Sequence, residues 1–159
     1  MPEFTIQIDA PAERVFDELS HVERHTTWAN PKAKMTMEQT AGSGPGPTAT
    51  YRSSGVFVGK DVSADITVEA FDPPRRFAIR SLQHQQGKKD VWYLNDYTLR
   101  SEGGGTRVTK HVTSSVSPII LFLAGPGIKR DAMTSLRSLK NLVESTAPHE
   151  LDTARAAPS

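Results

Sequence analysis

The chain has 159 residues, 23% of them charged, a formal net charge of +1 and no cysteine. That length suits one domain with a substantial core. The near-neutral balance leaves no electrostatic footprint for a nucleic acid, and the lack of cysteine removes disulfides, thiolate metal sites and a thiol nucleophile.

The N-terminus opens directly on an alternating strand, with Phe4, Ile6 and Ile8 on one face and Thr5 and Gln7 on the other. No basic segment followed by an apolar run precedes it, so no secretory signal and a cytoplasmic location are expected. Residues 9–13, Asp-Ala-Pro-Ala-Glu, predict a helix start, with Asp9 or Ala10 near the cap and Pro11 in the first turn. Val15, Phe16 and Leu19 supply its apolar face, while Asp9, Glu13 and Asp17 form a solvated side. Residues 20–28 predict a second short helix or turn ending before Asn30-Pro31.

Six strands are then expected. The first covers 34–40 and carries Met35 and Met37. A glycine- and proline-rich loop at 41–47 leads to a strand over 48–57, where Gly55 marks a bulge or bend. Gly59-Lys60 turns into the next strand, with Ile66, Val68 and Ala70 on one face, and Asp72-Pro73-Pro74 stops it. Strands over 76–82, 90–101 and 106–115 follow, the last two joined at Gly103-Gly104-Gly105.

Residues 128–145 read as an amphipathic helix. Ile128, Ala132, Leu136, Leu139, Leu142 and Val143 form one stripe, into which Ser135 also falls. A lone helix after a set of strands needs a sheet to receive that stripe. The preceding Gly125-Pro126-Gly127 is expected to break or kink any longer helix. The apolar run 119–124 is far too short to span a membrane. It exceeds what one stripe needs, which suits a lid over a cavity mouth, a subunit or membrane contact, or burial beneath the first helices. Residues 147–159 are expected to form an irregular tail, leaving one domain over 1–146.

Several phrases in this order resemble the START-like (SRPBCC) superfamily with its helix-grip, Bet v 1-like fold, and within it the polyketide cyclase/dehydrase and lipid-transport group. They are Ile8-Asp-Ala-Pro-Ala-Glu-Arg-Val-Phe16 with Trp28 after it, and Val68-Glu-Ala-Phe-Asp-Pro-Pro-Arg-Arg-Phe77. Tyr97-Thr-Leu, Gly104-Gly-Thr-Arg-Val108 and Leu136-Arg-Ser-Leu-Lys-Asn-Leu142 follow, so the resemblance covers residues 3 to 146. It implies an α+β fold: a curved seven-stranded antiparallel sheet around a long C-terminal helix, two short helices between strands 1 and 2, and a cavity between sheet and helix. It fixes no catalytic residue. The implied roles are binding or transport of a hydrophobic lipid-like, polyketide-like or aromatic molecule, a cyclase/dehydrase reaction in the same cavity, or a co-chaperone-like interaction.

Candidate cavity residues follow from the faces. Tyr93, Asn95 and Tyr97 share one side of a strand with Val91 and Leu99. They either line the cavity, where sparse polar groups orient a ligand, or reach solvent at the rim. Period two carries Lys110 inward with Val108 and Val112, unless a bulge or snorkelling turns it out, and only one of Lys110 and His111 can face the cavity. Ser135 either meets a ligand or bonds back to the Asp131 carbonyl. Trp28, Tyr51, Leu136 and Leu139 complete the set. His21 and His25 have metal-compatible spacing without a third ligand and read as a solvated helix face, so neither metal nor cofactor is expected. The expected partner is a hydrophobic small molecule, not nucleic acid or an integral membrane contact, and the chain is expected to be a monomer or homodimer.

Overall fold

A computed structural model describes residues 3–29, 34–57 and 59–156. The strands are β1 (Glu3–Ile8), β2 (Lys34–Ala41), β3 (Thr50–Phe57), β4 (Lys60–Asp72), β5 (Arg76–Gln85), β6 (Val91–Glu102) and β7 (Gly105–Ser114). The helices are α1 (Ala12–Ser20), α2 (His25–Trp28) and α3 (Pro118–Ala156), and a 3-10 turn, Val22–Arg24, separates α1 from α2. All seven strands join one antiparallel sheet in the order β1-β7-β6-β5-β4-β3-β2. Each strand from β2 to β7 therefore pairs with its neighbours in sequence, as short turns require. β1 closes the far edge against β7, and the helices α1 and α2 carry the chain across to the other edge.

The core lies between the concave face of the sheet and the inner side of α3. Leu136, Leu139 and Val143 are fully buried there with Ile8, Val15, Leu19, Trp28, Phe77 and Val108. An edge-to-face aromatic group fastens α1 to the sheet: Phe16 stands 5.4 Å from Phe71 and 6.1 Å from Phe77. The other side of α3 is tied to the end of β1. Lys140 Nζ donates to the Gln7 carbonyl at 2.9 Å and pairs with Glu144, whose Oε1 accepts from the Asp9 amide at 2.8 Å.

Several local expectations change. Pro11 is the N-cap of α1 rather than part of its first turn, and no side chain caps the helix. β4 carries a bulge between Val68 and Ala70, so the alternation slips and Phe71, not Ala70, stands opposite Phe77. Gly55 marks neither bulge nor bend. It pairs regularly with Met35 and Val62, and a Cβ there would collide with the Met35 side chain and the Lys34 carbonyl. The Gly103-Gly104 turn behaves as expected, with φ of 59° and 82° at its two central positions.

The largest correction concerns Gly125-Pro126-Gly127, which does not break the helix: α3 is continuous from Pro118 to Ala156. Proline loses one amide donor and disfavours helical backbone in the residue before it, partly through that residue's Cβ. Gly125 has no Cβ, and neither glycine has another group near the position where one would stand. Part of the obstacle is thereby removed, while the missing hydrogen bond and the crowding of the ring against the carbonyl four residues back remain and are carried by the rest of the helix. At its other end α3 runs on to Ala156, through residues 147–156 of the expected irregular tail; residues 157–159 of that tail lie outside the described residues, as do Asn30 and Pro31.

Candidate functional site: a divided hollow under the central helix

The interior is not filled evenly. Three hollows follow one another along the concave side of β6 and β7. The first, of 250 Å³, lies among α2, β2 and the middle strands and is lined by His25, Met35, Met37, Ile79, Asn95 and Lys110 among others. The second, of 290 Å³, lies against α3, with Val112, Ile128, Asp131 and Ser135 in its wall. It shares Ala29, Asn95 and Lys110 with the first. The third, of 260 Å³, lies under the front of α3 among Tyr93, Val116, Ile120, Leu121 and Ala124, and shares Val112 and Ile128 with the second. Asn95 and Lys110 therefore stand at one junction, and Val112 and Ile128 at the other.

Lys110 reaches the interior because β7 runs without a bulge against both neighbours, pairing Lys110 with Phe4 on one side and Tyr97 on the other. His111 consequently faces outward, 3.6 Å from Glu3. The half-buried Lys110 ammonium lies 5.5 Å from the centre of the Tyr97 ring, a cation–π arrangement. Tyr97 is itself buried and packs edge-on to Trp28 at 6.5 Å.

His25 corrects the reading of a solvated face. It is buried, packs against Trp28 at 4.6 Å with the rings tilted by 54°, and lines the first hollow. Its Nε2 lies 2.6 Å from the Leu19 carbonyl, which can only accept, so the proton sits on Nε2. Burial lowers its pKa to about 4; the Leu19 hydrogen bond opposes the shift and the charge of Lys110 adds to it. The imidazole is neutral at pH 7. A sign of its burial was present in the sequence, since Trp28 lies three residues further on and shares a helical face with it. His21 instead stays near Asp17, at 3.6 Å.

The other candidates divide. Tyr93, Asn95, Tyr97, Lys110 and Ser135 line one or more hollows. Trp28, Tyr51, Leu136 and Leu139 belong to the packed core, each with 1% exposure or less, and are not among the lining residues. Burial raises the phenol pKa of Tyr93, and raises that of Tyr51 with a further contribution from Glu23. The Ser135 hydroxyl proton is shared between the carbonyls of Ala29 and Asp131, the latter at 3.0 Å, so it staples α2 to α3 as well as bonding back along its own helix. Thr26, Ser53, Ser81 and Gln83 also line the first hollow and were not anticipated; they become neighbours only through the curvature of the sheet.

Residues 119–124 split between two surroundings. Ile120, Leu121 and Ala124 roof the third hollow, yet Ile119, Phe122 and Leu123 are 72–83% exposed. The run is therefore not tucked under the first helices. Among the described residues no helix is long and apolar enough to cross a membrane.

A curved antiparallel sheet closed around one long helix, with hollows between them, is a helix-grip architecture of the START-like class. Residues 3–144 match the family described as polyketide cyclase / dehydrase and lipid transport, and the chain belongs to that family. A search of curated proteins gives no match. Among solved structures, a conserved protein from Geobacillus kaustophilus superposes with a TM-score of 0.73 at 14% identity, covering 91% of this chain and 95% of that one. Ara h 8.0201 gives 0.64 at 17% identity, with 91% and 97% covered. DynU16, a protein of the dynemicin biosynthetic locus, gives 0.61 at 19% identity, with 89% of this chain and 46% of that one covered. These likenesses establish the shared fold.

Proposed function

We propose that the protein binds a hydrophobic small molecule in the hollows between the sheet and α3, and carries or sequesters it. The observation that supports this best is the contrast in packing along one helix. Around Leu136 and Leu139 the interior is solid, whereas toward Ile128 and Leu121 it opens into adjoining spaces. The third hollow is walled mainly by apolar side chains, while the first two mix apolar with polar groups, so together they offer a ligand apolar area for affinity and polar groups for orientation. The family's description, which joins lipid transport to polyketide chemistry, agrees with such a ligand.

A second reading is an enzyme of the cyclase/dehydrase type. It draws on His25 and Lys110, a neutral imidazole and a cation lining the same hollow, which is equipment for moving a proton on a positioned chain. One experiment addresses both readings. Native mass spectrometry of the purified protein, with extraction of any retained molecule, is expected to yield a ligand with a substantial hydrophobic part, unchanged by the protein. A ligand converted on incubation would favour the enzyme. Failure to retain or take up any of a broad panel of lipids and polyketide-like aromatics would overturn the binding reading.

A further inference from the structure

Four arginines on the outer side of the sheet are paired across strands. Arg76 meets Asp96 at 2.7 Å, Arg80 meets Glu69 at 2.8 Å, Arg107 meets Glu102 at 2.8 Å and Arg52 meets Asp65 at 3.0 Å. Lys110 is different. It is half-buried on the concave side, and its ammonium contacts the Tyr97 ring without an ion-pair partner among the described residues. The Asn95 amide, diagonal to it across the β6–β7 pair, makes no hydrogen bond among those residues either. Both groups border the same two hollows. The second hollow also contains Asp131, but that carboxylate is 80% exposed at the rim beside Arg130, 3.9 Å away.

A half-buried ammonium without a counter-charge is unfavourable, and an anion that enters and pairs with it relieves that cost. A cation and an amide side by side offer N–H donors to one small anionic group, and a carboxylate can accept from both. From Lys110 to Ser114, β7 advances ~13 Å toward the apolar third hollow.

Building on the proposed binding function, we infer that the ligand is an acid-bearing amphiphile. Its carboxylate is held by Lys110 and Asn95, and its apolar body runs along β7 beneath the front of α3. Lys110 selects for the charge, and the third hollow accepts the body.

Calorimetric titration with matched probes tests this: 2-naphthylacetate against 2-naphthylacetamide, and decanoate against decanol. The wild-type protein is expected to bind each acid about tenfold or more tightly than its neutral partner. Lys110→Met, which keeps the length of the side chain, is expected to erase that preference while leaving the neutral probes bound, and Lys110→Arg is expected to retain it. Circular dichroism melting curves confirm that each variant is folded. Equal affinity of wild type for acid and neutral probe overturns the charge selection while leaving the hydrophobic site intact. Equal weakening of both probes by Lys110→Met reduces the lysine to a packing role and also overturns it. Absence of binding by all four probes overturns this inference, whereas the binding reading falls only when the broad panel also fails to bind.

Discussion

The front and rear of α3 carry similar apolar residues in very different surroundings. In the rear, Leu136, Leu139 and Val143 recur at helical spacing and are fully buried. In the front, apolar residues from 119 to 124 occupy every side of the helix, and only Ile120, Leu121 and Ala124 look onto a hollow. Periodicity rather than hydrophobicity decides the outcome. A stripe can be covered by one sheet, whereas a ring of apolar residues always leaves part of itself outside. The rear of α3 therefore supplies stability, and the front supplies unfilled space and exposed apolar surface.

Substitutions in the two halves test that division. Leu139→Ala, in the solid rear, is expected to destabilise the fold by about 2–5 kcal/mol, as deletion of a fully buried leucine does, read from urea denaturation. A loss below about 1 kcal/mol there would mean that the rear is as hollow as the front.

The next effect arises at the boundary between packed and open interior, where His25 stands. Its pKa falls from 6.5 to about 4 on folding. Below pH 6.5 the unfolded chain takes up a proton that the folded chain refuses, so stability is fully present above that value and falls as pH drops toward 4. At pH 5 this one group is expected to remove about 2 kcal/mol. His25→Gln should flatten that part of the pH profile, while an unchanged slope between pH 7 and pH 5 would argue against a neutral buried imidazole.

The smallest effect is expected in the front. Leu123→Ala, at a side chain 75% exposed, should leave the denaturation midpoint within about 0.5 kcal/mol of wild type while reducing the binding of an apolar surface dye such as bis-ANS. A loss comparable to Leu139→Ala would contradict the exposure of the run.

The elements and their order were legible because their signals are local, whereas the wrapping of the sheet around α3 was implied by the family resemblance. Alternation in Phe4–Ile8, the glycine turn at Gly103-Gly104 and the stripe from Ile128 to Val143 each specify one element, and short connections order the strands. Lys110 was legible only in part: period two groups it with Val108 and Val112, but nothing local excluded a bulge or snorkelling, and the unbroken register of β7 against β1 and β6 decides it. His25 was not legible. Its reading assumed an unbroken helical face shared with His21, whereas the 3-10 turn Val22–Arg24 rotates the next helix inward. Phe71 was hidden by a bulge that shifts the alternation by one residue. Trp28 and Tyr51 belong to the packed core rather than to a hollow wall, because which space stays empty depends on how elements distant in sequence fill it. Period and turn chemistry carry no such information.

The continuity of α3 through Gly125-Pro126-Gly127 also has a consequence for local unfolding. Proline costs about 3 kcal/mol and each glycine about 1 kcal/mol relative to alanine inside a helix, so this turn forms at a deficit of about 5 kcal/mol. The buried contacts of Leu136 and Leu139 begin more than two turns further on. Fraying of the first turns therefore breaks few packed contacts, and amide protons ahead of Pro126 can exchange through a small opening while those between Ala132 and Val143 wait for the whole domain to unfold. One helix thus contains two regimes of protection, and the less protected one roofs the apolar hollow.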